Sequence, residues 1–357
     1  MTSPSDLTAQ HSDLVVQKAG APPPAVPVRP EYAVALRQEI DDAREYQKDA
    51  YAPKTRTAYR KVWQDFLLYC AQRGLLALPA RPETVCTYLA HLAKTKEGRK
   101  GPGQAFATIE KTLSIISAAH KAKGAPSPRD NPLVRSTLKG IANKHGRRQD
   151  PVDALRLEVL KEVVGCVPST LTGVRDRAVL VLSYGGAFRR SELSALNVGD
   201  IDWKADKKRG IVAHLRKSKT DQQGKGIQKP IRYGLSGDEG MCPVKTLQAW
   251  LEASGGNGAP ADTPVFRAIV DDSRVTYHRL SADAVYRIVR KYVKISGVEG
   301  RYGAHSLRAG FVTDAAAGRA QVQEIMKKTG HRSADTVLRY IRDAELFDND
   351  AAEKTGL

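Results

Sequence analysis

Between residues 51 and 145 the apolar positions return every three or four residues. Tyr59, Val62, Trp63, Phe66, Leu67 and Cys70 make one stripe; Val85, Leu89 and Leu92 make a second; Phe106, Ile109, Leu113 and Ile116 make a third; Leu138 and Ile141 belong to a fourth. This is the period of α-helices that bury one face each. Pro82 and Pro132 suit first helical turns, where no amide donor is lost, and Asn131 is a capping residue. An earlier helix is expected from Tyr32, Leu36, Ile40 and Ala43. No stretch here alternates in the manner of a strand. Residues 31–145 are therefore expected to form an all-helical domain with basic exposed faces. Before it, the Pro- and Ala-rich AGAPPPAVPVRP marks residues 1–30 as a disordered tail.

The polar, basic run NKHGRRQDPVD breaks the pattern, and a linker is expected over residues 146–153. From 154 to 357 the periods are mixed. Helices are expected at Leu155–Val167, Arg175–Phe188, Pro243–Ser254, Ser281–Ile295, Ala304–Ala317, Ala320–Lys328 and Ser333–Arg342. GIVAHLRKS and IQKPIRYGL flank a Gly-containing loop and predict a β-hairpin. The fold class is thus mainly α with a small antiparallel β-sheet, in a helical N-terminal domain and an α+β C-terminal one.

Charge narrows the partner. The 357 residues carry a formal net charge of +18, more than solubility asks for, and a polyanion is the partner it implies, nucleic acid before a membrane surface. The longest mostly apolar run, Ala178–Phe188, is too short to span a bilayer and is flanked by Arg177 and Arg189. The first residues, MTSPSDLTAQHSD, lack the basic start and apolar stretch of a secretory signal. Cys70, Cys86, Cys166 and Cys242 are far apart, and neither CxxC nor HExxH spacing occurs. Buried free thiols in a reducing cytoplasm, with no metal and no cofactor, are the expectation.

The residues with chemistry to offer are few. GAFRRSELSAL carries Arg189, with Glu192 three positions on; HSLRAG carries His305 and Arg308 on one helix face; TGHRS carries His331; LRYIR carries Tyr340. Each has a bland reading. Arg189 and Glu192 alone are a surface ion pair of little energetic weight, His305 and Arg308 a solvated helix face, and Tyr340 a half-buried core tyrosine. Together they suit metal-free phosphodiester cleavage. Arginines hold non-bridging oxygens, histidines move protons, and a tyrosine hydroxyl can carry the phosphate covalently.

The order and spacing of these segments resemble the tyrosine recombinases, or phage integrase family, and most of all its Cre-like members, over about residues 35 to 345. The resemblance implies a helical core-binding domain over 31–145 and a catalytic domain over 154–357. It implies Arg189, Arg308 and His331 on the scissile phosphate, His305 assisting the tyrosine, and Tyr340 as the nucleophile that forms a 3′-phosphotyrosine. Glu192 would orient Arg189 or the neighbouring histidine, and Arg190 stands where the family has an apolar residue. The family also places a leaving-group acid on the hairpin. Lys219 in HLRKSKTDQQGKG matches best, ahead of Lys217, while Lys225 and its neighbours can simply touch phosphates. In SADAVYRIVRKY, Asp283, Tyr286, Arg287 and Arg290 are candidate DNA contacts. The implied partners are a double-stranded recombination site and three further copies of the chain, in a homotetramer, with no small-molecule substrate and no membrane. Two other readings share features with this one: a topoisomerase of the same chemistry, and a DNA-binding protein without catalysis.

Overall fold

The computed structural model describes residues 53–94, 103–146, 152–216, 226–234 and 237–344. The expected tail over 1–30, the helix from Tyr32 to Ala43 and the hairpin lysines Lys217, Lys219 and Lys225 lie outside them. The chain divides into two compact units, Met1–Asp150 and Pro151–Leu357.

The described part of the first unit holds α1 (Pro53–Ala71), α2 (Pro82–Lys94), α3 (Phe106–Ala122) and α4 (Pro132–His145). The apolar stripes face one another. Phe66, Leu89, Ile109, Leu113, Ile116 and Val134 are fully buried in one core. The Asn131 side chain accepts a hydrogen bond from Leu133 N at 2.9 Å and so starts α4. His120 is a core histidine with both ring nitrogens in hydrogen-bond distance of main chain, at Ala80 N and Ile116 O.

The second unit runs α5 (Leu157–Gly165), α6 (Leu171–Gly185), α7 (Arg190–Ala195), β1 (Ile201–Asp206), β2 (Gly210–Leu215), β3 (Ile227–Arg232), α8 (Pro243–Ala253), β4 (Arg267–Val270), β5 (Arg274–Arg279), α9 (Ala282–Ser296), α10 (Ala304–Ala317), α11 (Val322–Thr329) and α12 (Ala334–Ala344). The apolar run of α6 is the centre of the core: Ala178 to Leu182 are all buried and pack with Trp250, Phe266 and Tyr292. The three-stranded antiparallel sheet has the order β1-β2-β3, and β4-β5 is a separate hairpin. Pro230 is tolerated within β3 because that strand is an edge. Helix α10 lies directly against the backbone at residue 155: Leu155 N donates to Ser306 O at 2.9 Å, and a Cβ on Gly310 would fall 1.8 Å from Leu155 O. The glycine of HSLRAG is therefore a packing requirement.

Several expectations need correction. Helix α6 spans Leu171–Gly185 rather than Arg175–Phe188. Thr170 caps it early by accepting from Gly173 N, and a left-handed turn at Ala187, with φ 47°, ends it before Phe188. Helix α11 starts at Val322, two residues after the expected Ala320, because Arg319 is left-handed, with φ 59°, and Glu324 accepts from Gln321 N. Strands β1, β4 and β5 were not among the expected elements, although Ile201, Trp203 and Ala205 alternate with charged residues along β1. Arg267 and Arg279, at the ends of that hairpin, donate to the main-chain carbonyls of Ser254, Ser194 and Leu196. Of the four cysteines only Cys70 and Cys242 are buried; Cys166 is exposed at the end of α5. Among the described residues no helix is long and apolar enough to cross a membrane.

Candidate active site

Arg189 follows the turn that ends α6. Phe188 is buried beside it and anchors the turn in the core. Arg189 then caps α7, and Glu192, one turn in, accepts from its backbone N at 3.0 Å while the other carboxylate oxygen takes Arg189 Nη1. Glu192 is only 2% exposed. The pair is thus a largely buried one, with Arg189 itself half-buried, and breaking such a pair is costlier than losing a surface one. The remaining Arg189 Nη2 reaches Gly330 O at 3.4 Å.

Arg308 comes from the middle of α10 and is 1% exposed. Its Nη1 donates to Ala187 O at 2.8 Å. Its Nε and Nη2 are buried and have no acceptor. Burial first, and then the neighbouring Arg189, pull its pKa down to about 10; Glu192 and Tyr340 act the other way. The guanidinium is still charged at neutral pH. A buried cation with two free donor nitrogens beside a second cation is what an anion with several oxygens would satisfy.

His305 stands one turn nearer the start of α10 and is exposed. Its Nε2 lies 3.3 Å from the Tyr340 hydroxyl. Tyr340 is half-buried on α12, which is fixed against α10 and α11 by the fully buried Val337. Ser333 accepts from Asp335 N and caps the helix start. His331 sits after Gly330, whose left-handed φ of 71° ends α11. Its Nδ1 is 2.8 Å from Thr329 Oγ1. Thr329 Oγ1 also donates to Ile325 O at 2.6 Å, so its oxygen accepts from His331 Nδ1–H, which leaves Nε2 with the lone pair. Burial, then Arg308, Arg189, His305 and Lys229 in turn, push the His331 pKa down to about 4. The ring is neutral at neutral pH.

The structure thus brings Arg189, Glu192, Arg308, His331, His305 and Tyr340 together from four segments. Two other tyrosines of this unit, Tyr292 and Tyr302, are buried and their hydroxyl pKa values are raised by that burial; Tyr292 donates to Asp176. One residue of the cluster had no place in the sequence reading. Lys229 of β3 is buried near the two arginines, with a pKa lowered by burial to about 7. Its signal was present in IQKPIR, where a lysine holds an inward position of an alternating strand.

The candidate DNA contacts lie on α9. Val285, Ile288, Val289, Tyr292 and Val293 face the core, and Asp283, Tyr286, Arg287 and Arg290 are exposed on the other side. Two of the four also have partners within the protein. Asp283 accepts from Arg190 at 2.9 Å, and the Tyr286 ring lies against Gly303, where a Cβ would come within 3.0 Å of it. Arg190, which stands where the family has an apolar residue, is exposed and bridges α7 to α9. Among the described residues no cluster of His, Cys, Asp and Glu is set to hold a metal ion.

The sequence profile of the phage integrase family matches residues 153–346. An integrase/recombinase XerD homologue of Selenomonas ruminantium is 32% identical over 309 residues, which is 85% of each chain. A tyrosine recombinase XerC of Syntrophus aciditrophicus is 30% identical over 173 residues, covering 48% of this chain and 50% of that one. Among solved structures, a lambda integrase (75-356) dimer bound to a COC′ core site shares the fold at a TM-score of 0.56 and 17% identity, over 87% of this chain and 94% of that one. These relatives give no particular support to a Cre-like placement.

Proposed function

The chain belongs to the phage integrase family and is a tyrosine-type DNA recombinase, and on that premise we propose that the cluster on α7, α10, α11 and α12 cleaves DNA through a 3′-phosphotyrosine. The observation that carries this reading is Arg308. Its two buried donor nitrogens without an acceptor, next to Arg189, fit the non-bridging oxygens of a phosphodiester.

With a phosphate there, the steps follow from the residues. The Tyr340 oxygen attacks phosphorus, its proton passing to His305 Nε2, 3.3 Å away. Charge on the non-bridging oxygens grows in the transition state and is met by Arg189 and Arg308. An adjacent anion favours the imidazolium, so His331 takes a proton on Nε2 and becomes a further donor. Glu192 holds Arg189 and keeps the pair of arginines from facing each other without a counter-charge. The 5′ oxygen leaves with a proton, supplied in this proposal by Lys219. A phosphodiester bond is exchanged for a phosphotyrosine bond, so no nucleotide need be spent. A 5′ hydroxyl from a second duplex then attacks the phosphotyrosine, releases Tyr340 and completes the exchange.

The rest of the proposal concerns the assembly. The two units together clamp duplex DNA, the exposed face of α9 contacts it through Arg287 and Arg290, and four copies act on two recombination sites in the cytoplasm. The test is direct. The chain selects its site from a random-sequence duplex library, the recovered site is nicked close to the cleavage point, and the protein is incubated with it. A covalent protein–DNA adduct on a denaturing gel supports cleavage by this chain; DNA binding with no adduct would favour the reading as a binding protein without catalysis.

A further inference from the structure

Lys229 costs the protein something. Its side chain is 1% exposed, on a strand position paired with Ala213 of β2, and flanked along β3 by the inward Ile231. An apolar residue would fill that position without burying a charge. Its ammonium does not face the open part of the cluster. It is spent on main chain: Nζ lies 2.8 Å from Lys328 O, 3.1 Å from Gly186 O and 3.3 Å from Ala187 O. The nearer Glu192 carboxylate oxygen is 3.9 Å away, and the Phe188 ring lies beneath at 5.2 Å.

The three carbonyls are not arbitrary. Gly186 and Ala187 form the turn that delivers Arg189. Ala187 is held left-handed, with φ 47°, a conformation unfavourable for an L-residue, and its carbonyl is also the acceptor for Arg308 Nη1. Lys328 belongs to the last turn of α11, which delivers His331, and Lys328 returns a hydrogen bond from its own Nζ to Pro230 O. We propose that Lys229 is a positioning residue of the active site, whose ammonium ties the Arg189 turn and the acceptor carbonyl of Arg308 to the helix end that carries His331. This role rests on the cleavage reading given above.

The number of acceptors gives the role a pH dependence. Three carbonyls need three N–H donors, and only the ammonium has three; the neutral amine has two and turns a lone pair on the third carbonyl. The charged groups that face Nζ are Glu192 of α7, Arg189 at its cap, Arg308 of α10 and Lys328 of α11; the three cations and above all burial work against the ammonium, and Glu192 works for it. The loss of its proton falls at about pH 7. The protonated form is the competent one, so the clamp is intact on the acid side and released as pH rises through neutrality.

The experiment uses the full chain and the nicked duplex recovered by selection. Single-turnover adduct formation and duplex affinity are measured from pH 6 to 9 for wild type, Lys229→Met and Tyr340→Phe. Methionine keeps the length and removes every donor. The proposal expects wild-type adduct formation to fall on the alkaline side while affinity holds. It expects Lys229→Met to bind as tightly, to react on the order of 10²-fold more slowly, as for a small misplacement of reacting groups, and to lose the alkaline fall. A Lys229→Met rate within about twofold of wild type, or a slowed variant that keeps the alkaline fall, overturns the positioning role alone. If Lys229→Met does not fold by circular dichroism, the wild-type profile decides: a rate that does not fall above neutrality overturns the role. No adduct with wild type, or an adduct with Tyr340→Phe, would overturn the cleavage assignment and this role with it.

Discussion

Replacing Arg308 by methionine should separate stability from activity, and in opposite directions. In the free protein Arg308 is a buried guanidinium that makes one hydrogen bond, to Ala187 O, and leaves Nε and Nη2 without acceptors beside a second arginine. Each unsatisfied buried donor costs about 1–3 kcal/mol. The bond given up is charge-assisted, about 1.5–3 kcal/mol, and Ala187 O keeps Lys229 as a donor. Methionine fills most of the volume with apolar atoms, and Arg189 is freed of a like charge. These figures run from a loss of about 1 to a gain of about 4.5 kcal/mol, centred on a gain of about 2 kcal/mol. For a domain of this size the central value raises the melting temperature by roughly 4–8 °C, at about 2–4 °C per kcal/mol. Calorimetry at neutral pH reads it directly. The same variant should bind the selected duplex about as well as wild type, because many other basic residues meet the backbone, and cleave it about 10²–10³-fold more slowly. Selected duplex should stabilise wild type more than Arg308→Met. A variant that melts several degrees lower and still cleaves near the wild-type rate would show that Arg308 is an ordinary structural arginine, and would refute the reasoning from its unpaired donors.

Two other outcomes follow. The His331 pKa, followed by NMR in the free protein, should lie near 4 and rise when the selected duplex binds, since a phosphate favours the imidazolium; an unchanged or falling value would remove His331 from the phosphate. Lys219→Ala should cleave normal DNA slowly and be rescued on 5′-bridging phosphorothiolate DNA, whose sulfur leaves without needing a proton, while Lys217→Ala and Lys225→Ala show weaker defects and no selective rescue; rescue of Lys217→Ala instead would move the acid two residues upstream.

What could be read in advance depended on whether a residue's partners were near in sequence. The helices of the first unit were legible because their stripes and the Asn131-Pro132 start are local signals, and α1 to α4 follow them closely. Strands β4 and β5 were not, because Arg267 and Arg279 occupy them and find their acceptors far along the chain, at residues 254, 194 and 196. The motif residues were legible one by one, through chemistry and spacing. What the spacing did not carry was the state of each. That Glu192 is buried, that Arg308 Nε and Nη2 lack acceptors and that His331 is held neutral arise from the meeting of α7, α10 and α11, not from any one of them. Lys229 was passed over for the same reason: in sequence it is one more lysine on a basic hairpin, and only the fold turns it inward onto Gly186, Ala187 and Lys328.

The most direct measurement of the central claim is adduct formation by Tyr340→Phe on the nicked, selected duplex, beside wild type. The substitution removes one hydroxyl from a half-buried ring, so the fold and duplex affinity should hold. The account predicts a covalent adduct with wild type, mapped by mass spectrometry to Tyr340, and none with Tyr340→Phe at equal DNA occupancy. An adduct that persists in Tyr340→Phe would place the nucleophile on another residue and contradict the account.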